Sequence, residues 1–278
     1  MEIKLIGLDL DGTVFNNKKE ITPRTKDAIL RAIDAGVVVV PTTGRPRAGL
    51  PKEFIEIPSI RYAITSNGAS IIDLSTNEAI YQDLMSAEKA YELLVSLPTD
   101  IIMAEVYIKG FGYAEQNKLD HLDRYTPSEQ YAAYIRNSRN PVDSICRFVK
   151  ETQLPIEKIH LLFAETETKT NTLKQLQKIS DIYITTGISN NLEINSKTAN
   201  KGNGLLELGK ILGIKQQEIM ACGDSGNDYD MIVAAGLGIA MENADDRIKA
   251  AADFITTSNE EDGVAYAIER FVNIKNKG

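Results

Sequence analysis

The sequence predicts an α/β protein: a doubly wound parallel-sheet core into which a separate α+β domain is inserted. Three observations carry this reading. Short, continuously apolar runs near both ends of the chain read as strands buried on both faces. Helix-like stretches with apolar residues at helical spacing alternate with those strands. The middle of the chain shows hairpin signals in place of crossovers, so it reads as a second domain.

Residues 3–9 (Ile-Lys-Leu-Ile-Gly-Leu-Asp) form the first strand, followed by a polar, turn-rich stretch from Gly12 to Thr22. Pro23 opens a helix whose apolar residues Ala28, Ile29, Ala32 and Ile33 share one face, and Gly36 ends it. Residues 37–40 are a second strand, too continuously apolar to face water on either side, and residues 62–65 a third. Residues 218–222 and 237–240 are two more of the same kind, with a helix at 229–235 between them. In the middle, a helix is expected at 87–97. Strands at 100–108 and 111–115 meet at Lys109-Gly110, a hairpin signal. The polar, Tyr-rich stretch 119–136 is expected to be helical. Strands at 159–165, 181–186 and 191–195 and a helix at 170–179 complete the segment. The expected division is therefore 1–83 for the first part of the core, 84–195 for the insertion and 196–278 for the second part of the core.

Composition bounds the function. Of 278 residues, 43% are apolar and 25% charged, which excludes wholesale disorder. Lys and Arg number 31 against 39 Asp and Glu, a formal net charge of −8. A basic nucleic-acid footprint is absent, so no nucleic-acid partner is expected. The same charge repels phosphorylated molecules at long range, so a phosphate site would need a local cation or metal. The two cysteines, Cys146 and Cys222, exclude a disulfide framework and make a reducing cytoplasm the expected location. No run of 18 apolar residues occurs, so no membrane-spanning helix is expected. The opening Met-Glu-Ile-Lys leads straight into a strand, unlike a signal peptide. A monomer or weak homo-oligomer is the expected state.

Four segments stand out as chemistry-bearing. The first is Asp9-Leu10-Asp11-Gly12-Thr13, at the carboxyl end of the first strand. Ligands in open parallel sheets bind outside such strand ends. Two carboxylates at i and i+2 can face one point, with Leu10 turned away. Close carboxylates repel unless they bind a cation or share a proton. An ordinary acidic turn is the bland alternative. The second is Thr42-Thr43-Gly44-Arg45-Pro46, where a hydroxyl, a glycine and a cation precede a helix expected to open at Pro46. Free N–H groups there would favour an anion, although a simple strand-to-helix turn has the same look. The third is Lys201-Gly202-Asn203-Gly204, before a helix expected at 205–212. Its glycines hint at close approach of a phosphate, but they do not make a dinucleotide fingerprint. The fourth is Gly223-Asp224-Ser225-Gly226-Asn227-Asp228, another acidic loop at a strand end. Asp224 could complete a metal site with Asp9 and Asp11. Oxygen ligands without His or Cys favour Mg²⁺.

Other chemistries fit poorly. His121 and His160 share no ligand spacing with a Cys or carboxylate, which argues against zinc and against a Ser-His-Asp triad. Cys222 lies in an apolar strand and reads as packing. Tyr113, Tyr125, Tyr131 and Tyr134 read first as core or surface residues.

Taken jointly, the four segments resemble the haloacid dehalogenase superfamily. Asp9-Leu10-Asp11-Gly12-Thr13 matches its nucleophile motif, Thr43 the hydroxyl of the second motif, and Lys201 the lysine of the third. Gly223-Asp224 with Asn227-Asp228 matches the fourth. Order and spacing agree over roughly residues 1–83 and 196–278, and the insertion falls where the type 2 cap domain of that superfamily sits. Thr43-Gly44-Arg45-Pro46 and Ser66-Asn67-Gly68-Ala69 are similar to the Cof-type branch of sugar-phosphate phosphatases.

The resemblance implies a Rossmann-like core, a Mg²⁺ cofactor and a small phosphorylated substrate. It implies Asp9 as nucleophile and Asp11 as general acid and base. Mg²⁺ would be held by Asp9, the Asp11 backbone carbonyl and Asp224. Thr43, Gly44, Lys201 and Asn227 would bind phosphate, and Asp228 would support the metal loop. The cap would close over the site and exclude water. Substrate choice would fall to the cap and to Arg45 and Asn67, with Glu193 and Asn195 as further candidates. Two other outcomes fit part of the pattern: a phosphomutase of the same superfamily, and a phospho-acceptor signalling or binding protein. The inserted domain and the early position of Asp9 speak against the latter.

Overall fold

The computed structural model describes residues 2–126 and 128–273. The strands, in chain order, are β1 (Leu5–Leu8), β2 (Val38–Pro41), β3 (Tyr62–Thr65), β4 (Ser70–Asp73), β5 (Glu78–Gln82), β6 (Met103–Ile108) and β7 (Phe111–Glu115). They continue with β8 (Arg139–Val142), β9 (Lys158–Leu162), β10 (Ile182–Thr185), β11 (Asn191–Ser196), β12 (Ile219–Gly223), β13 (Leu237–Ala240) and β14 (Phe254–Ile255). The chain divides into two compact units. One comprises the chain up to Gly44, Leu50–Gln82 and the chain from Asn200. The other comprises Asp83–Ala199 together with Arg45–Gly49. The short Arg45–Gly49 segment was expected to belong with the first part of the core.

In the first unit β14-β13-β12-β1-β2 form a five-stranded sheet, parallel throughout. Its strands are apolar on both faces because helices cover both: Leu5, Ile6, Leu8, Met220, Ala221 and Cys222 are fully buried in one core. Each such Leu or Ile contributes roughly 1.5–3 kcal/mol by leaving water. The first helix, Pro23–Asp34, follows the sequence reading closely. Thr22 accepts a hydrogen bond from the Thr25 N–H as its cap, Ala28, Ile29 and Ala32 face the core, and Gly36 follows with φ +90°. The register pairs Leu8 with Cys222 and with Pro41, and Gly223 with Ala240. The residues that follow Leu8, Pro41 and Gly223 therefore leave the sheet along one edge.

Two expectations for this unit are corrected. Tyr62–Thr65 does not extend the parallel sheet as a full strand. It pairs antiparallel with β4 in a separate sheet, β3-β4-β5, and joins the parallel sheet by no ladder but through an isolated bridge between Thr42 and Ile64. The cause is the turn after Thr65. Ser66, Asn67 and Gly68 all take positive φ and send the chain straight back. The helix expected at Pro46 is only a three-residue turn, Arg47–Gly49.

The second unit carries a six-stranded sheet, β10-β11-β9-β6-β7-β8, in which only β7 and β8 run parallel. The Lys109-Gly110 turn has positive φ at both positions, the geometry that matches strand twist in a two-residue hairpin. Alternation along the strands separates two faces. Ala104, Val106, Ile108, Ile159, Leu161, Leu192 and Ile194 pack in an apolar core. Glu105, Tyr107, Lys158, His160, Glu193 and Asn195 alternate with them and are also buried. The stretch expected as one helix over 119–136 is instead broken into Gln116–Leu119, Leu122–Arg124 and Glu129–Ser138, the last capped by Ser128. Strand β8 and the helix Ile145–Thr152 were not anticipated.

Candidate active site

The site is built at the carboxyl edge of the parallel sheet. The Asp9 N–H still donates to the Cys222 carbonyl, so Asp9 is the last residue held by the ladder, and its side chain is buried. Asp224 stands one residue past β12. One further turn on, Asp228 accepts from the N–H groups of Asp224 and Ser225, each at 3.0 Å, which fixes its carboxylate under the loop. Carboxylate oxygens of Asp9, Asp224 and Asp228 lie within 4.8 Å of one another.

Lys201 supplies the counter-charge. Its helix begins earlier than expected, at Lys201 itself, with the Asn200 side chain capping the Asn203 N–H at 2.8 Å. Lys201 thus sits in the first turn, fully buried, and Nζ lies 2.6 Å from both Asp9 Oδ1 and Asp228 Oδ1. The two glycines beside it have a packing role. A Cβ on Gly202 would come within 2.4 Å of the Asp230 carbonyl, and one on Gly204 within 2.9 Å of Gly68 Cα. They let this helix lie close enough for a buried lysine to reach Asp9.

The electrostatics follow from three carboxylates sharing one ammonium. Burial first, and then the charge of Asp228, push the Asp9 carboxyl up to about 7 despite Lys201. Burial, with Asp9 and Asp228 adding to it, pushes Asp224 up to about 8. Burial pulls on the Lys201 ammonium in the opposite direction, but Asp228 and Asp9 outweigh it and hold Lys201 above its ordinary range.

The remaining candidates distribute unevenly. The Asp11 carboxylate does not join the group of three, contrary to the expected pairing with Asp9. It lies 2.9 Å from Lys19 Nζ, with its side chain 40% exposed. Thr43 is buried; its N–H donates to the Ile64 carbonyl and its own carbonyl accepts from Asn67 N–H, while Gly44 follows it at the mouth of the turn. Asn227 Nδ2 donates to Asn67 Oδ1 at 3.2 Å, which joins the two loops. In the second unit, Arg45 lies over the Tyr134 ring at 4.6 Å, Glu193 pairs with Lys158 at 2.9 Å and Asn195 donates to the Glu157 carbonyl. Cys222 is inert, its thiol pushed up to about 12 by burial.

Sequence reasoning passed over Thr13 as a functional side chain. Its hydroxyl donates to Asp224 Oδ1 at 2.9 Å and so orients a carboxylate of the cluster. It also missed a buried ionic network in the second unit. There Glu105 Oε2 accepts from Arg139 Nε at 2.8 Å and lies 3.0 Å from His160 Nδ1. The alternation of Glu105 and Tyr107 with Ala104, Val106 and Ile108 was a visible signal for a polar face.

A family model for haloacid dehalogenase-like hydrolases matches residues 6–268. The chain belongs to this family, in its Cof-type branch, and is a phosphatase of the phosphoric monoester hydrolase class. It is 30% identical to the phosphatase YwpJ of Bacillus subtilis over 97% of this chain and 100% of that protein. It is likewise 30% identical to the 5-amino-6-(5-phospho-D-ribitylamino)uracil phosphatase YcsE of Bacillus subtilis, over 98% of this chain and 97% of that one. A solved haloacid dehalogenase-like hydrolase from B. subtilis superposes with a TM-score of 0.87 at 29% identity, covering 97% of this chain and all of that one. Among the described residues no helix is long and apolar enough to cross a membrane.

Proposed function

We propose that this phosphatase is Mg²⁺-dependent, forms a phosphorylated Asp9 intermediate and acts on a small sugar phosphate or ribityl phosphate. The observation that carries the reading is the buried Lys201 ammonium set 2.6 Å from Asp9 Oδ1, with Asp224 and Asp228 clustered beside it. The substrate class draws on YcsE, whose name specifies a phosphoribityl compound.

The residues present fit a hard divalent cation. The donors are all oxygens, and two of them are pushed up by burial and mutual repulsion, a cost that a cation offsets. Asp9, Asp224 and the Asp11 backbone carbonyl would hold Mg²⁺, with Asp228 supporting the loop. When bound, the ion screens the charge between a carboxylate and a phosphate dianion.

The protein's own groups then divide the work. Asp9 attacks phosphorus in line, forming an acyl phosphate as the bond to the leaving alcohol breaks. Asp11 gives its proton to the departing oxygen. It then takes a proton from the water that attacks the acyl phosphate, which releases inorganic phosphate and regenerates Asp9. An ammonium has three N–H donors. With two of them on Asp9 and Asp228, the third serves a phosphoryl oxygen, and the Thr43 hydroxyl, the Gly44 turn and Asn227 serve the others. Asn67, held by Asn227, contributes to substrate choice.

The test is phosphate release from a panel of phosphorylated sugars and ribityl compounds, in Mg²⁺ and in EDTA, with wild type and Asp9→Asn side by side. Release that needs Mg²⁺ and is lost in the variant is expected. Equal release in EDTA, or an active Asp9→Asn enzyme, contradicts the reading.

A further inference from the structure

Two asparagines outside the four motif segments reach into the loop that carries Asp11 and Thr13. Asn243, in the turn after β13, donates from Nδ2 to the Gly12 carbonyl at 2.9 Å. Its Oδ1 accepts from the backbone N–H of Asn259 at 3.0 Å. Asn259 in turn donates from Nδ2 to the Phe15 carbonyl at 3.0 Å. The relay thus grips both ends of the segment Gly12–Phe15. That segment is a tight turn: the N–H groups of Thr13 and Phe15 both point at the Leu10 carbonyl, and Asp11 bridges to Phe15.

The same stretch of chain also holds the opposite side of the site. The N–H of Asp245 donates to the Asp224 carbonyl at 3.1 Å, and that of Met241 to the Gly223 carbonyl at 3.0 Å. Gly12 is pressed so closely against Asp224 that a Cβ there would lie 2.5 Å from Asp224 Oδ2, and its φ of +87° also favours glycine. Residues 241–245 therefore fix two loops against each other, the one bearing Asp11 and the one bearing Asp224.

We propose that Asn243 and Asn259 are positioning residues of the phosphatase reaction. Through the Gly12 and Phe15 carbonyls they set the backbone from which Asp11 and Thr13 project. This rests on the reading of Asp11 as acid and base given above. Asn243 is solvent-exposed, so its hydrogen bonds add little to global stability. Reactive groups, however, tolerate little misplacement: about 1 Å costs on the order of 100-fold in rate. The role proposed for the side chain is on the loop backbone and not on the substrate, so its loss should act on kcat and spare KM.

The experiment compares wild type with Asn243→Ala and Asn243→Asp. The aspartate keeps the acceptor for Asn259 N–H but turns a carboxylate oxygen toward the Gly12 carbonyl. Turnover with Mg²⁺ and melting temperature are measured, together with amide hydrogen exchange on the protein without added metal. Expected in both variants is a fall in kcat of roughly 10- to 100-fold with KM within about twofold. Faster exchange confined to the Thr13 and Phe15 amides is also expected, while the Ile6 and Met220 amides of the sheet keep their protection. Unchanged kcat with unchanged exchange overturns the proposal. So does a general loss of protection with a matching drop in melting temperature, which makes the asparagines merely structural. If wild type releases no phosphate from any substrate, the reading of function fails. The exchange comparison alone then decides whether the asparagines hold the loop.

Discussion

Lys201 donates a 2.6 Å hydrogen bond to Asp9 Oδ1, across 192 residues of sequence and inside a region closed to solvent. Charge-assisted bonds of this kind are short and strong, and they set geometry as well as charge. The helix that carries Lys201 reaches the sheet because Gly202 and Gly204 leave no side chain in the way.

Removing this ammonium while keeping its length, in Lys201→Met, leaves the buried carboxylates of Asp9 and Asp228, and the half-buried one of Asp224, with no cation among them. Turnover should fall by at least roughly 100-fold, and folding stability by about 3–5 kcal/mol. Lys201→Arg should not rescue activity, because a planar guanidinium does not fit a fully enclosed site shaped for an ammonium. Steady-state kinetics and denaturant unfolding check both. Near-normal turnover in Lys201→Met would sink the assignment.

Thr13→Val removes the donor to Asp224 Oδ1 at nearly constant shape. Groups that orient a metal-binding carboxylate are typically worth 10- to 100-fold in metal affinity. Calorimetric titration of the variant with Mg²⁺ should show weakening of about that size, with a stability loss of only about 1 kcal/mol. An unchanged Mg²⁺ affinity would show that Asp224 needs no such support.

Gly202→Ala tests the packing role of the glycines. The added methyl would lie 2.4 Å from the Asp230 carbonyl, which is backbone and cannot easily yield. Overpacking of this kind costs roughly 1–3 kcal/mol. Lys201 would move with its helix, so activity should fall alongside stability. A variant as stable as wild type would show that the helix has room to spare.

Acid should weaken the second unit through Glu105. Burial alone would raise this carboxyl, but Arg139 and His160 beside it hold it down to about 2, against an ordinary 4.5. A carboxyl depressed in the folded state adds stability that is fully present above its unfolded value. That contribution is lost as pH falls from about 4.5 toward 2. Unfolding measured against pH should steepen in this window for wild type and lose that slope in Glu105→Gln. An identical pH profile in the two proteins would contradict the network.

Much of this was legible in the sequence, and the rest was hidden for physical reasons. The strands 3–9, 37–40, 218–222 and 237–240 could be read because strands buried on both faces must be continuously apolar. Asp9, Asp224 and Asp228, which the structure gathers, stand in segments singled out by Gly, Asp and Asn at strand ends, and Lys201, which joins them, in a glycine-containing segment singled out before a helix. The direction of the Asp11 carboxylate was not legible, because it depends on Lys19, itself held at φ +64° in a turn. The pairing of β3 was hidden because Ser66 and Asn67 take positive φ without being glycine. Strand β5 was missed because Glu78–Gln82 lies mostly exposed and shows no alternation to read. The Thr13–Asp224 bond joins residues 211 apart, and no local pattern encodes it.

Asp9 is the residue proposed to become phosphorylated. The most direct measurement is to mix the enzyme with a turned-over sugar phosphate and Mg²⁺, quench in acid within the first turnover, and map the phosphoryl group by peptide mass spectrometry. An acid-stable, base-labile phosphoryl group is expected on the peptide containing Asp9, absent in Asp9→Asn. A phosphoryl group on any other residue, or one that persists in Asp9→Asn, would contradict it.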